Sequence, residues 1–415
     1  MLKVRRLSRL KEELSFVRGN LLVLIVSWVF FSFVGSMVYP YESLYLEALG
    51  ASALIIGLLS SLSTLALLTA RIVGGHLADK YGRRGLIITM TFGVAMSYVF
   101  YALAPDWRFV ALGMIIGNLC LVYQPALEAI TADSIPPEKR GLGYALTNVL
   151  PGIPAIFSPL VARALISRFG FVSGLRMAYW IVVVGCLSAA VVRALFLEET
   201  LETGAEVRLR ELLGEVKNSL SEMAKALRQM PRALKVFTVI LLVSVVEEPM
   251  FRIYTSLYAV HIIGISRADW AILSIVGSAA TMAVGLPLGK AVDTIGRKRA
   301  LIISYLLWIP STAYFILCRS FWELVAVSVV FSIGGGLFGP AQQALTADLT
   351  PKELRGRVMG AIGNLNLMAA AAASALAGFL YELGPSLPFL TCLLIDIIVL
   401  AMLVLLLEEP RGRGA

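Results

Sequence analysis

Glu247 and Glu248 are adjacent, and Arg252 follows Glu248 by four residues, all inside an apolar stretch from 233 to 262. Four residues is little more than one helical turn, so Glu248 and Arg252 share a face and can pair. Glu247 points about 100° away. Adjacent carboxyl groups in a low-dielectric setting oppose each other's ionisation, so one of them is expected to hold a proton. The chemistry on offer is reversible protonation, and a proton that comes and goes can be exchanged for a solute. Glu248 and Arg252 would serve equally as a static buried pair. Other carboxylates fall in apolar stretches at Glu42 and Glu128, accompanied by Tyr39, Gln124, Tyr254 and Gln343. That mixture suits a partly apolar solute, and its acidic excess favours a cation. Glu42 reads also as a solvated surface carboxylate, and Glu128 as a structural bond between helices. Asp396, in the last apolar stretch, has no role at this level.

The elements that carry these residues follow from composition. Of 415 residues, 58% are hydrophobic and only 15% charged, and the mean hydropathy is +0.83, beyond an ordinary soluble domain. A helix needs about 20 apolar residues to cross a bilayer. Twelve such stretches occur, at 20–48, 52–78, 86–104, 107–134, 141–167, 174–197, 233–262, 268–293, 300–318, 321–348, 355–382 and 386–407. The expected fold is an all-α membrane protein of twelve transmembrane helices. Pro40, Pro249, Pro287 and Pro340 predict breaks or kinks within them. Short alternating segments, the mark of a β-barrel, are missing from the sequence.

Charge orients the chain. With both termini cytoplasmic, about three quarters of the 36 Lys and Arg lie on the inner side, as short loops prefer. Much of the +9 net charge is therefore topology. The basic arm with Lys3, Arg5, Arg6, Arg9, Lys11 and Arg18 would rest on anionic headgroups of the bilayer, and no nucleic-acid partner is expected. Cys120, Cys186, Cys318 and Cys392 each fall in a different span, and the only histidines are His76 and His261. Neither a metal site nor a cofactor is expected. "GGGLFGP", residues 334–340, lacks the Lys of a phosphate-binding loop. No nucleophile and base stand at catalytic spacing, so an enzyme is not expected.

The chain repeats itself. "GGHLADKYGRRG" at 74–85 returns as "GKAVDTIGRKRA" at 289–300, with Asp79 and Asp293 214 positions apart. "PALEAITADSIPPEKRG" from Pro125 returns as "PAQQALTADLTPKELRG" from Pro340, 215 positions on. The domains read as a six-helix half over 1–198, an amphipathic linker over 199–232 and a second half over 233–415. The glycines Gly75, Gly82 and Gly296 permit tight turns and close helix approach. Arg83 or Arg84 can offer Asp133 a planar fork of donors, with Asp348 the equivalent carboxylate for Arg297. Such clusters at helix ends, with Asp79 and Asp293, would form a cytoplasmic gate that differs between two states.

The pattern G-x-x-x-D-[RK]-x-G-R-[RK] between helices 2 and 3 of a duplicated chain resembles the signature of the major facilitator superfamily. Gly75, Asp79, Lys80, Gly82, Arg83 and Arg84 match it; in the second half Thr294 replaces the usual basic residue. The resemblance implies two pseudo-symmetric six-helix bundles around a cavity lined by helices 1, 4, 7 and 10, with alternating access. "PGIPAIFSPLVA" at 151–162 resembles the helix-5 motif of the family's proton antiporters, with Ser158 and Ala162 in place of glycines. The helix-4 arginine of drug exporters is absent; Gly117 and Asn118 stand there. The expected function is proton-coupled export of amphipathic neutral or cationic compounds from a plasma-membrane monomer. An uptake symporter or uniporter is the alternative, and a membrane-embedded sensor or enzyme a remote one.

Overall fold

The computed structural model describes residues 13–201 and 221–407, apart from the side chains of Asp79 and Tyr81. No strand occurs among the described residues. The helices of the first half are α1 (Asn20–Ala48), α2 (Ala53–Tyr81), α3 (Arg83–Ala102), α4 (Trp107–Asp133), α5 (Pro137–Phe169) and α6 (Phe171–Phe196). Those of the second are α7a (Arg232–Ser244), α7b (Glu247–Tyr258), α8 (Trp270–Ile295), α9 (Arg297–Leu317), α10 (Phe321–Leu349), α11 (Lys352–Leu383) and α12 (Leu387–Leu405). Eleven of the described helices are long and apolar enough to cross a membrane. The stretch expected as a twelfth, 233–262, is divided. Pro249 offers no N–H to the Val245 carbonyl, and its ring would clash with that carbonyl. The helix stops at Ser244 and restarts at Glu247, which puts Pro249 in a first turn where a missing N–H costs little.

Large apolar side chains cover the outside of these helices. Leu286 is 77% exposed and Leu405 78%, which water would penalise and lipid would not. Each helical hairpin at the repeated turns begins from a glycine in the left-handed region, Gly82 at φ 84° and Gly296 at φ 96°. A side chain there would be strained.

The chain forms two compact units. One comprises residues 1–39 and 69–216, the other 40–68 and 217–415. In the first, Leu24, Ile87, Tyr123 and Ala126 build a core. Beside it Arg193 of α6 is wholly buried. Its guanidinium donates to the hydroxyls of Ser27 (3.0 Å) and Thr91 (2.8 Å) and lies over the rings of Phe31 and Tyr123. Hydroxyls and ring faces thus hold a cation where the sequence offered only apolar helices.

In the second unit Leu234, Phe237, Tyr305, Leu345 and Val399 form the core. Met230 and Leu227, at the end of the expected linker, pack against it. Residues 202–220, which hold most of that expected amphipathic helix, lie outside the described residues, as do residues 1–12 of the basic arm. Residues 40–68, the last part of α1 and first part of α2, pack on α7b and α11. Tyr254 donates to the Ala53 carbonyl (2.8 Å), and Trp270 to that of Pro40 (2.7 Å).

Candidate functional site

The second unit contains a cavity of about 420 Å³ between α7a, α7b, α9, α10, α11 and α12. Its apolar wall is Leu241, Val245, Phe251, Trp308, Phe331 and Phe338, and its polar groups are Ser244, Glu247, Glu248, Gln342, Asn366 and Asp396. Three of these are carboxylic acids, and no Lys, Arg or His is among the lining residues. Aromatic faces and carboxylates without a cation form a wall suited to an apolar body carrying positive charge.

The break in α7 places the acids. By restarting the helix at Glu247, it turns that side chain inward, where it is 9% exposed, while Glu248 on the neighbouring face stays open. Trp308 reaches the cavity because α10 is smooth opposite it. A Cβ on Gly334 would lie 2.2 Å from the indole nitrogen, so only glycine fits beneath that ring. The indole N–H donates to the Phe331 carbonyl (3.2 Å), which fixes its plane against the wall.

Asp396 of α12 is 1% exposed and sits within hydrogen-bonding reach of Glu247. Its Oδ2 accepts from the Thr312 hydroxyl at 3.2 Å. Glu247 Oε1 and Asp396 Oδ1 receive no donor from the rest of the described protein. Glu248, by contrast, pairs with Arg252 Nε at 2.6 Å, and Arg252 also donates to Ser60 (3.3 Å). The charge of Arg252 reaches Glu42 as well. The two adjacent glutamates therefore differ in kind, one with a cation partner and one with another acid.

The remaining residues singled out in the sequence are dispersed. Tyr254 is buried, stacked on Tyr381 with ring centroids 4.8 Å apart, and serves packing rather than the cavity wall. Gln343 is exposed; its neighbour Gln342 lines the cavity. Tyr39, Gln124 and Glu128 belong to the first unit, where Tyr39 is 56% exposed and Glu128 is also exposed. Asp396 has no charged neighbour in sequence, and nothing in its spacing signals the partner it meets.

At the repeated turns the structure pairs Arg83 with Asp133 and, at 3.3 Å, Arg297 with Asp348. Each pair lies inside one unit. Asp293 is exposed beside the second turn, and Gly75 lies in α2 before the first. The Asp79 side chain lies outside the described residues. Each turn is also fastened to the end of the last helix of its half, by Arg84 to α6 and by Lys298 to α12. Arg84 donates to the carbonyls of Leu197 (2.6 Å) and Ala194 (2.9 Å), and Lys298 to those of Leu407 (2.5 Å) and Val404 (3.3 Å). Both acceptor pairs are 210 positions apart, so the duplication extends to the sixth and twelfth helices. The tripeptide Leu-Glu-Glu at 197–199 and 407–409 was the available signal.

Glu199 caps α3, accepting from the backbone N–H groups of Arg83 (3.2 Å) and Arg84 (2.8 Å). Partial burial opposes its charge, but these and two further backbone donors, Thr200 and Leu201, outweigh burial and hold the carboxyl below its ordinary value of 4.5. The stabilisation is thus fully present above that pH and lost as pH falls through the depressed value. Glu199→Gln is expected to cost on the order of 1 kcal/mol at pH 7. Thermal melts from pH 7 down to pH 3 should show the gap between variant and native closing at the acid end, and a constant gap would remove the charged-cap account.

A sequence profile described as Major Facilitator Superfamily matches residues 23–283 and 250–415. The chain is 28% identical over 357 residues to the multidrug resistance protein MdtG of Citrobacter koseri, covering 81% of this chain and 82% of that protein. It is likewise 28% identical over 353 residues to MdtG of Enterobacter lignolyticus, covering 81% and 80%. Among solved structures it resembles the human organic anion transporter MFSD10 with a TM-score of 0.67 at 18% identity, covering 92% of this chain and 98% of that one. The peptide transporter POT in complex with sulfate matches with a TM-score of 0.74 at 16% identity, covering 94% and 93%. At such identities the two structures speak for the fold.

Proposed function

We propose that this chain, which belongs to the major facilitator superfamily and is a multi-pass membrane transporter, exports amphipathic neutral or cationic compounds in exchange for protons. The observation that carries the reading is the cavity of the second unit, whose wall joins Trp308, Phe331 and Phe338 to Glu247 and Asp396 with no basic residue among its lining. Aromatic faces hold an apolar body, and the acids attract its charge. The multidrug resistance proteins among the relatives fit the same class of solute.

In this reading the halves 1–198 and 233–415 move about the linker 199–232, with both termini on the cytoplasmic side. The turns bearing Asp79, Arg83, Asp293 and Arg297 then form the cytoplasmic gate, and their ion pairs with Asp133 and Asp348 keep the helix ends of each half together during exchange. Glu42, Glu248 and Arg252 sit where the cavity's charge is adjusted, and the protein acts as a monomer in the plasma membrane.

The test is the pH inside proteoliposomes when tetraphenylphosphonium, a permanent lipophilic cation, is added. Protein-dependent proton movement is expected, absent from empty vesicles and from the variant carrying Glu42→Gln, Glu247→Gln and Glu248→Gln together. Proton movement that survives in that variant would overturn the coupling assignment. Accumulation of the cation inside intact cells would instead indicate uptake.

A further inference from the structure

We infer that Glu247 and Asp396 together form a binding site for one proton, which leaves when an organic cation occupies the adjoining cavity. The inference rests on the cation-export reading for its second step only.

Two buried oxygens of different acids, Glu247 Oε1 and Asp396 Oδ1, have no donor from the described protein, while the acids themselves are within hydrogen-bonding reach. Two buried carboxylates in that position are two acceptors without a donor, and their like charges repel away from bulk water. A single proton converts the repulsion into a charge-assisted hydrogen bond and supplies the missing donor.

The surroundings leave that task to the pair. Thr312 on α9 already donates to Asp396 Oδ2, and the Tyr305 hydroxyl is engaged with Ser244 at 2.6 Å. The Cys392 thiol on α12 points at the Glu247 backbone carbonyl and the Met250 sulfur, at 4.0 and 3.6 Å. On α7b Arg252 pairs with Glu248. None of these described contacts supplies a donor to Glu247 Oε1 or Asp396 Oδ1.

The charge balance suits exchange. One carboxylic acid and one carboxylate carry a single negative charge. When a monovalent cation binds and the proton departs to solvent, two carboxylates and one cation carry the same single negative charge. Occupancy by either ligand is thus electrostatically equivalent, and occupancy by both would leave the cation facing half the attraction.

The purified full-length protein tests this without transport. Infrared spectroscopy at neutral pH should show the carbonyl stretch of a protonated carboxylic acid, lost in Glu247→Gln and also in Asp396→Asn, where an amide replaces the shared proton as donor. Addition of tetraphenylphosphonium in lightly buffered solution should release one proton per bound cation from the native protein and none from either variant. Near-isosteric changes preserve the packing, and the native spectrum requires no variant at all. Absence of the acid band in the native protein would overturn the proton site, as would a band that persists unchanged in both variants. A sodium-dependent signal in place of the band would identify a metal cation there and overturn it equally. A band that behaves as expected with no binding of the phosphonium would retain the proton site and sink the cation-export reading instead.

Discussion

Glu247→Gln is expected to reduce pH-gradient-driven export of a lipophilic cation to the level of empty vesicles, while Glu248→Gln leaves it within a few-fold of native. The two residues are neighbours in sequence, and only their settings separate them. Glu248 is more than half exposed and already paired with Arg252, so its charge is partly met by solvent and partly by the guanidinium. Removing it leaves Arg252 its hydrogen bond to Ser60. Glu247 is buried beside Asp396 with one oxygen lacking a donor. Its replacement by an amide fills that vacancy permanently, so the site no longer needs a proton that it can give up. Binding of the cation, measured separately by equilibrium dialysis, should persist in Glu247→Gln because Asp396 and the aromatic wall remain. Comparable losses in both variants would mean that the pair of glutamates acts as a unit and that burial does not assign the roles.

The helical content and the duplication were legible in the sequence because lipid imposes length and apolarity on every crossing segment. The Arg83 to Asp133 and Arg297 to Asp348 pairs were legible because the repeat shows the same partners twice. The cavity was only half legible. Ionisable residues in an apolar stretch announce α7, but a continuous helix over 233–262 leaves the direction of Glu247 open. Pro249 decides that question by breaking the helix two residues upstream of Glu247. Asp396 stands out as an ionisable residue in an apolar helix, but its partner lies on another helix and leaves no mark in the spacing. Gln343 stands at the repeat position of Glu128, and both of those side chains are exposed. Correspondence within a duplication fixes the backbone position, and the chemistry of the two halves has diverged around it.

Gly57→Val is expected to slow transport roughly 5- to 150-fold while leaving cation binding intact, whereas Gly35→Ala should have no effect on either. A Cβ on Gly57 would stand 2.5 Å from the Ser374 carbonyl oxygen, 2.7 Å from the Tyr254 hydroxyl and 2.9 Å from the Gly378 Cα. Two of these neighbours are backbone and cannot turn aside. Gly378 faces back the same way, its own Cβ position lying 3.0 Å from the Ala53 carbonyl oxygen. Small residues at 53, 57 and 60 on α2 thus meet Ser374 and Gly378 on α11, and Ser60 approaches Ser374 at 3.5 Å. Close packing of this kind is one of the few attractions available between helices in lipid. Overpacking such a contact costs about 1 to 3 kcal/mol, too little to unfold a protein of this size but enough to depopulate one arrangement roughly 5- to 150-fold relative to another. Residues 40–68 join α7b and α11 in this structure, and a transport cycle in which that seam opens and closes needs both arrangements. None of residues 53, 57, 60, 374 and 378 lines the cavity, so the valine should trap the protein in a form that binds and does not deliver. Loss of binding along with transport would show that the seam supports the cavity itself, and full transport in Gly57→Val would show that the cycle never requires this contact.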